Sequence, residues 1–248
     1  MGHLEKSDFM NDLTEYYDVK TAAAWIRGHA KRTGIPNLPE ELLEKEIGEL
    51  DDGKMQRIVA AGQEAQLKLY PFKSGTQTMP RVRRTIGFLR SLQFETMLDA
   101  GSGRGVFLIP FVKEFPWVQV TALDLLEKRV TFLQELAAGG FTQLHAQQKN
   151  ICDQPFPDDS FDVVTLLEVL EHIPEAETAV AAAVRMAKQY VVVSVPSKPD
   201  NNPEHIHLLT KEKLTGMFEA AGCTRLHFDG VEGHLFLVAA VDGRNEKG

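Results

Sequence analysis

Cysteine is nearly absent from this 248-residue chain, and the two present, Cys152 and Cys223, form no C-x-x-C pair. A disulfide framework or a cysteine-built zinc site is therefore not expected, and both thiols read as ordinary buried side chains. Also missing is any apolar run approaching the ~18 residues of a membrane span. Residues 1–11 are polar and charged and lack the apolar centre of a secretion signal, so a cytoplasmic chain with no membrane partner is expected. Positive charge is in short supply, with 27 Lys and Arg against 35 Asp and Glu and a formal net charge of -8. That balance opposes capture of nucleic acid by the surface as a whole, because phosphate binding draws on clustered cations. What remains is an ordinary globular composition, 43% hydrophobic and 25% charged, enough for one large domain or a domain with an appendage.

Glycine, by contrast, is concentrated where it matters. Residues 96–105 read Thr-Met-Leu-Asp-Ala-Gly-Ser-Gly-Arg-Gly, with an apolar stretch over 106–112. The pattern predicts a strand, a tight turn and a helix, and the alternating Gly101, Gly103 and Gly105 suit a turn that visits positive φ while a ligand approaches the backbone. G-x-G-x-G differs from the dinucleotide spacing G-x-G-x-x-G. Asp99, two residues before the first glycine, is a poor neighbour for a pyrophosphate and a good one for a cationic ligand.

These residues resemble motif I of the class I S-adenosylmethionine (SAM) methyltransferases, whose cofactor carries an ammonium and a sulfonium. The resemblance continues downstream. Asp124 lies 19 positions past Gly105, at the end of a second predicted strand, where an acid can accept the ribose hydroxyls. Residues 150–162 resemble the family's adenine loop, which implies that Asn150 meets the adenine amino group and the Ile151 N–H a ring nitrogen. The cofactor set so implied is Asp99, Gly101, Ser102, Gly103, Gly105, Asp124, Leu125, Asn150, Ile151 and Glu168, and NAD is disfavoured.

Strands predicted over 96–100, 118–124, 143–148, 161–167 and 190–195 alternate with helices over 127–138 and 175–188. A helix over 210–221 and two strands over 225–228 and 234–241 close the chain. This implies an α/β fold, a doubly wound, mostly parallel seven-stranded sheet ending in an antiparallel hairpin. Before it, residues 1–78 read as an N-terminal helical region, a cap or lid, with helices over 4–17, 20–32, 40–50 and 55–69 and a linker over 71–80. Residues 79–248 form the methyltransferase domain. A helix over 81–92 faces inward through Val82, Ile86 and Leu89, which leaves Arg81, Arg84 and Arg90 to solvent or to an anionic substrate.

The acceptor side is carried by Glu168-Val-Leu-Glu171-His172 and the later His205 and His207. Two carboxylates with imidazoles have the composition of a divalent-metal site. The arrangement resembles the metal-dependent 2′-O-methyltransferases of RNA 3′ ends, which implies Mg²⁺ or Mn²⁺ on Glu168, Glu171, His172 and His205 or His207. The same Glu-His-Ile-Pro sequence also occurs in small-molecule methyltransferases, where His172 is general base, or merely caps the loop, with Glu168 and His205 beside it. A small-molecule acceptor is expected, with RNA and a non-catalytic SAM-binding protein as the alternatives; no protein partner is implied.

Overall fold

A computed structural model describes residues 17–73 and 79–241. The expected helix over 4–17 and part of the linker fall outside them. Helix α1 (Val19–Thr33) is capped by Asp18, which accepts from the Thr21 N–H at 3.2 Å, and buries Ala22, Ala23, Ala24 and Ile26 completely. Its small face lies directly on α5 (Glu127–Gly139): a Cβ on Gly28 would stand 1.7 Å from the Glu135 carbonyl, and one on Gly139 1.6 Å from the Ala24 carbonyl. Only glycine permits backbones so close.

Where one helix was expected over 40–50, a single turn (Glu41–Glu44) and a 3₁₀ turn (Ile47–Glu49) occur instead. The cause is Arg27, buried in α1. Its guanidinium donates to the carbonyls of Leu42 (2.8 Å), Leu43 (3.1 Å) and Lys45, acceptors that a continuing helix would use, and to that of Gly139 (2.6 Å) at the end of α5. The next helix, α2 (Asp52–Glu64), is capped by Asp51, and α3 (Pro80–Leu89) buries Val82, Ile86 and Leu89 as its spacing predicts.

The sheet contains β1 (Thr96–Ala100), β2 (Gln119–Asp124), β3 (Leu144–Gln148), β4 (Phe161–Leu167), β5 (Ala187–Pro196), β6 (Arg225–Val231) and β7 (His234–Ala240). Their spatial order is β3-β2-β1-β4-β5-β7-β6; the first five are parallel, and β7 runs antiparallel to both its neighbours. Between β4 and β5 lies α6 (Ala176–Met186), shorter than expected because Ala187 already pairs with Phe161. Helices α4 (Leu108–Glu114) and α7 (Lys211–Ala220) complete the set.

Alternation along the strands sorts two cores. Met97, Val163, Val192 and Phe236 pack with α1 to α5, whereas Leu98, Val164, Val191, Val193 and Leu237 pack with α6 and α7. Strand order reverses between β1 and β4, and a crevice opens there at the carboxyl ends of the strands. Among the described residues, no helix is long and apolar enough to cross a membrane.

Candidate active site

The turn after β1 is built as its glycines require. Gly101, Gly103 and Gly105 have φ of 73°, 58° and 75°, the region where L side chains are strained. Gly101 and Ser102 donate their N–H groups to the Leu123 carbonyl at 2.8 and 2.9 Å, which hooks the turn onto β2. A Cβ on Gly101 would press to 2.6 Å from Val169, so the turn lies against the segment that follows β4. A Cβ on Gly103 would meet nothing nearer than the Gly101 carbonyl at 3.9 Å, which leaves bare backbone facing open space.

That turn lines a cavity of about 670 Å³ at the switch point, together with Asp99, Asp124, Leu125, Asn150, Ile151, Glu168, Val169, His172 and Arg81. Asp99 is buried and accepts from Thr165 Oγ1 at 2.6 Å. Burial pushes its carboxyl up to about 6, against the downward pull of Thr165 and Ser102. A cation in the cavity would favour its charged form. Asp124 accepts from the N–H groups of Gly103 and Leu126, both at 2.9 Å, and faces Arg129 at 3.3 Å. It closes the glycine turn, and a carboxylate so placed still has acceptor capacity for hydroxyls. Asn150 Oδ1 is used locally, accepting from Cys152 N at 3.0 Å to cap the turn Ile151–Asp153. That oxygen keeps a second lone pair, and the carboxamide NH₂ remains a donor. Ile151 opens the turn, so its N–H has no partner within it.

At the other end of the cavity Glu168 occupies φ 59°, and its carboxylate accepts from Ser194 Oγ at 2.8 Å and meets His234 Nε2 at 2.9 Å. It is thereby tied to β5 and β7. Glu171 is 1% exposed, and neither carboxylate oxygen has a hydrogen-bond partner. Burial pushes it up to about 8, opposed first by its own backbone N–H and then by Arg81, and helped by the charges of Glu168 and Asp200. His172 Nδ1 lies 2.9 Å from the Glu204 carbonyl, and His205 Nδ1 lies 2.8 Å from Asp200 Oδ2. Both oxygens only accept, so each Nδ1 carries the hydrogen and a neutral ring keeps its lone pair on Nε2. One donor atom each from Glu171, His172 and His205 lie within 4.8 Å of one another, and the two rings stack edge to face. His207 is turned away, its Nε2 on the carbonyls of Ile173 and Pro174 at 3.0 and 3.3 Å.

Of the expected acceptor residues, Glu171, His172 and His205 thus converge, whereas Glu168 and His207 are engaged elsewhere. The partners Thr165, Val169, Ser194 and His234 were not expected. Thr165 had a signal, a polar residue within an apolar strand directly opposite Asp99; His234 had none. Arg84 and Arg90, open to an anionic substrate by sequence, are held by Asp229 and Glu114.

The order of the strands and the glycine turn define a Rossmann-like methyltransferase fold. A family described as "Methyltransferase domain" matches residues 98–193, from β1 to the middle of β5. A curated relative, Ribosomal RNA small subunit methyltransferase G from an Exiguobacterium strain, is 30% identical over 136 residues, 52% of this chain and 57% of that protein. The chain spans about half the length of the first curated relatives it matches. A SAM-dependent methyltransferase from Aquifex aeolicus superposes with a TM-score of 0.58 at 19% identity, covering 68% of this chain and 94% of that one. The magnesium protoporphyrin IX methyltransferase of Synechocystis, solved with S-adenosylhomocysteine (SAH), gives 0.54 at 19% identity over 67% and 83%.

Proposed function

We propose that the chain transfers a methyl group from SAM to a small-molecule acceptor. The bare backbone at Gly103, beside buried Asp99 and Asp124, is the observation that carries the cofactor assignment. Gly101, Ser102 and Gly103 would hold the amino-acid part, Asp99 would balance its cationic charge, Asp124 would accept from the ribose, and Leu125, Asn150 and Ile151 would border the adenine. When bound, the cofactor supplies a sulfonium-activated methyl. The chain's own work is then alignment of the acceptor and removal of its proton. His172 Nε2 is the atom that takes that proton. Residues 1–78 as a cap belong to the same proposal, supported by Arg104 at the cavity wall, which stacks 5.9 Å over Tyr70.

The acceptor end is lined by Glu168, Glu175, Glu204, Ile173 and Pro174 with Arg81 as its cation. This mixed acidic and apolar lining favours a small neutral or cationic acceptor over a phosphate chain, for all that several curated relatives are named for ribosomal RNA. Calorimetry tests the cofactor: SAH is expected to bind and NAD⁺ not to bind, and the reverse would end this proposal. Asp124→Ala is expected to weaken SAH by about 1 to 3 kcal/mol, the cost of unpaired buried hydroxyls. Transfer of labelled methyl to metabolite pools but not to ribosomal RNA separates the two acceptor classes, and no transfer to either would favour a non-catalytic SAM-binding protein.

A second reading rests on the convergence of Glu171, His172 and His205. Two imidazoles with free Nε2 atoms, each anchored through Nδ1, and one unpartnered carboxylate suit a divalent ion with open positions for an acceptor oxygen. An ion there would lower the acceptor's pKa and orient it. Titration of the SAH complex with Mn²⁺ should then give micromolar binding that both Glu171→Gln and His205→Gln abolish. Absence of heat in the wild type removes the metal and leaves His172 as a metal-free base.

A further inference from the structure

Tyr70 brings the helical region up to the glycine turn. It opens the 3₁₀ turn Tyr70–Phe72, in which Phe72 is 1% exposed and packs on Trp25 of α1 and Phe132 of α5, at ring-centroid distances of 5.5 and 5.6 Å. The backbone is tied down too. The Asp18 N–H donates to the Phe72 carbonyl at 2.8 Å, Tyr17 and Lys73 form an antiparallel bridge, and Asp18 pairs with Lys113 of α4. Phe72 thus anchors the turn, and the Tyr70 ring, 64% exposed, is held out towards a neighbour.

That neighbour is Arg104, the residue between Gly103 and Gly105. It lines the cavity, and its guanidinium lies 5.9 Å from the centroid of the Tyr70 ring. The other cations of the cavity wall have other places. Arg129 faces Asp124 at 3.3 Å, Lys149 lies 4.7 Å over Phe156, and Arg81 stands at the acceptor end, where its charge acts on Glu171. Among the described residues no acid pairs with Arg104. An aromatic face attracts a guanidinium and orients it without neutralising it, so its charge and its N–H donors stay available to a ligand.

The turn needs such a donor. Its backbone N–H groups are already engaged: Gly101 and Ser102 donate to the Leu123 carbonyl, Gly103 to Asp124 at 2.9 Å, and Gly105 to the Ser102 carbonyl at 2.9 Å. The Ser102 hydroxyl donates to the Asp99 carbonyl at 2.8 Å. A ligand that carries an ammonium and a carboxylate therefore finds Asp99 for the first and no free donor among these groups for the second. Arg104 is the cation that the turn itself supplies.

We infer that Arg104 takes the carboxylate of the cofactor's amino-acid part, and that Tyr70 is a positioning residue that holds the guanidinium at the cavity wall for it. The inference rests on the SAM assignment above and deepens it. Residues before the sheet then act on the cofactor through one aromatic ring, and the cap is part of the cofactor site.

Calorimetry with two probes tests this: SAH, and its decarboxylated analogue, which keeps the adenosine, the thioether and the ammonium and lacks only the carboxylate. The wild type is expected to bind SAH about tenfold more tightly than the analogue. Arg104→Gln should erase that preference while affinity for the analogue stays within about twofold, which also shows that the variant is folded. Tyr70→Leu should weaken SAH about three- to fivefold and leave the analogue unmoved, and Tyr70→Phe, which keeps the ring face, should match the wild type. In the Arg104→Gln background, adding Tyr70→Leu should weaken SAH no further, because the ring acts through the guanidinium.

Equal losses for both probes, or Tyr70→Phe as damaging as Tyr70→Leu, overturn the inference. So does an Arg104→Gln variant that keeps the preference, above all if Arg81→Gln loses it instead. A wild type that binds both probes equally overturns it while leaving the SAM assignment standing. A wild type that binds neither overturns the SAM assignment, and the inference with it.

Discussion

His172→Gln is expected to slow methyl transfer by on the order of 10² to 10⁴, with SAH affinity changed less than about threefold. Three groups at the acceptor end could take a proton, and the structure ranks them. Glu171 is pushed up to about 8 and is buried away from the cavity, so near neutrality it is mostly protonated. Glu168 shares its outer oxygen with His234. His172 lines the cavity, and its Nδ1–H donates to the Glu204 carbonyl, so in the neutral ring the lone pair is on Nε2. Single-turnover transfer from labelled SAM, with any acceptor that the metabolite screen yields, measures the effect. Wild-type rates in His172→Gln at every pH would remove it as base.

The half of the candidate site built on the glycine turn was legible in the sequence because its geometry is local. A strand end, three alternating glycines and an acid at a fixed distance occupy consecutive residues, and a turn at positive φ leaves its mark on residue type. The parallel sheet was legible too, since buried strands read as short apolar runs between helical patterns. The acceptor half was legible only in composition. Glu168, Glu171, His172, His205 and His207 were recognisable as chemical groups, but which of them converge depends on how the loop after β5 folds back. There the Ile206 and His207 N–H groups donate to the Glu171 carbonyl at 2.9 and 3.3 Å, which sets His205 beside His172 and turns His207 outward. The broken helix over 40–50 had no local signal either. It follows from the buried Arg27 in another helix, and such a long-range competition for carbonyls is invisible to propensity.

Wild-type stability is expected to fall as the pH rises from about 6.5 to 8.5, and Glu171→Gln is expected to abolish most of that fall. The sign follows from the direction of the shift. Glu171 is raised from 4.5 to about 8 in the folded chain, so its protonated form is the one that folding favours. Its contribution is fully present below 4.5 and is lost as the pH rises through 8, because ionisation then places a charge where neither oxygen has a partner. Over the whole span from below 4.5 to above 8 the loss integrates to on the order of 5 kcal/mol, of which about 2 kcal/mol falls between pH 6.5 and 8.5. Asp99, pushed up to about 6 by burial, acts in the same direction but is largely ionised by pH 6.5, so starting there isolates Glu171. Glutamine keeps the shape and cannot ionise, so the variant should match or exceed the wild type above pH 8. Urea midpoints at four pH values in that window measure the difference, and parallel curves for the two proteins would sink the assignment. Mn²⁺ adds a further discrimination. An ion held by Glu171, His172 and His205 would supply the missing partner for the carboxylate, so it should restore wild-type stability at pH 8 and leave Glu171→Gln unmoved. A site without a metal would show no such rescue, and the pH-dependent loss would then mark a buried acid kept neutral beside the imidazole of His172.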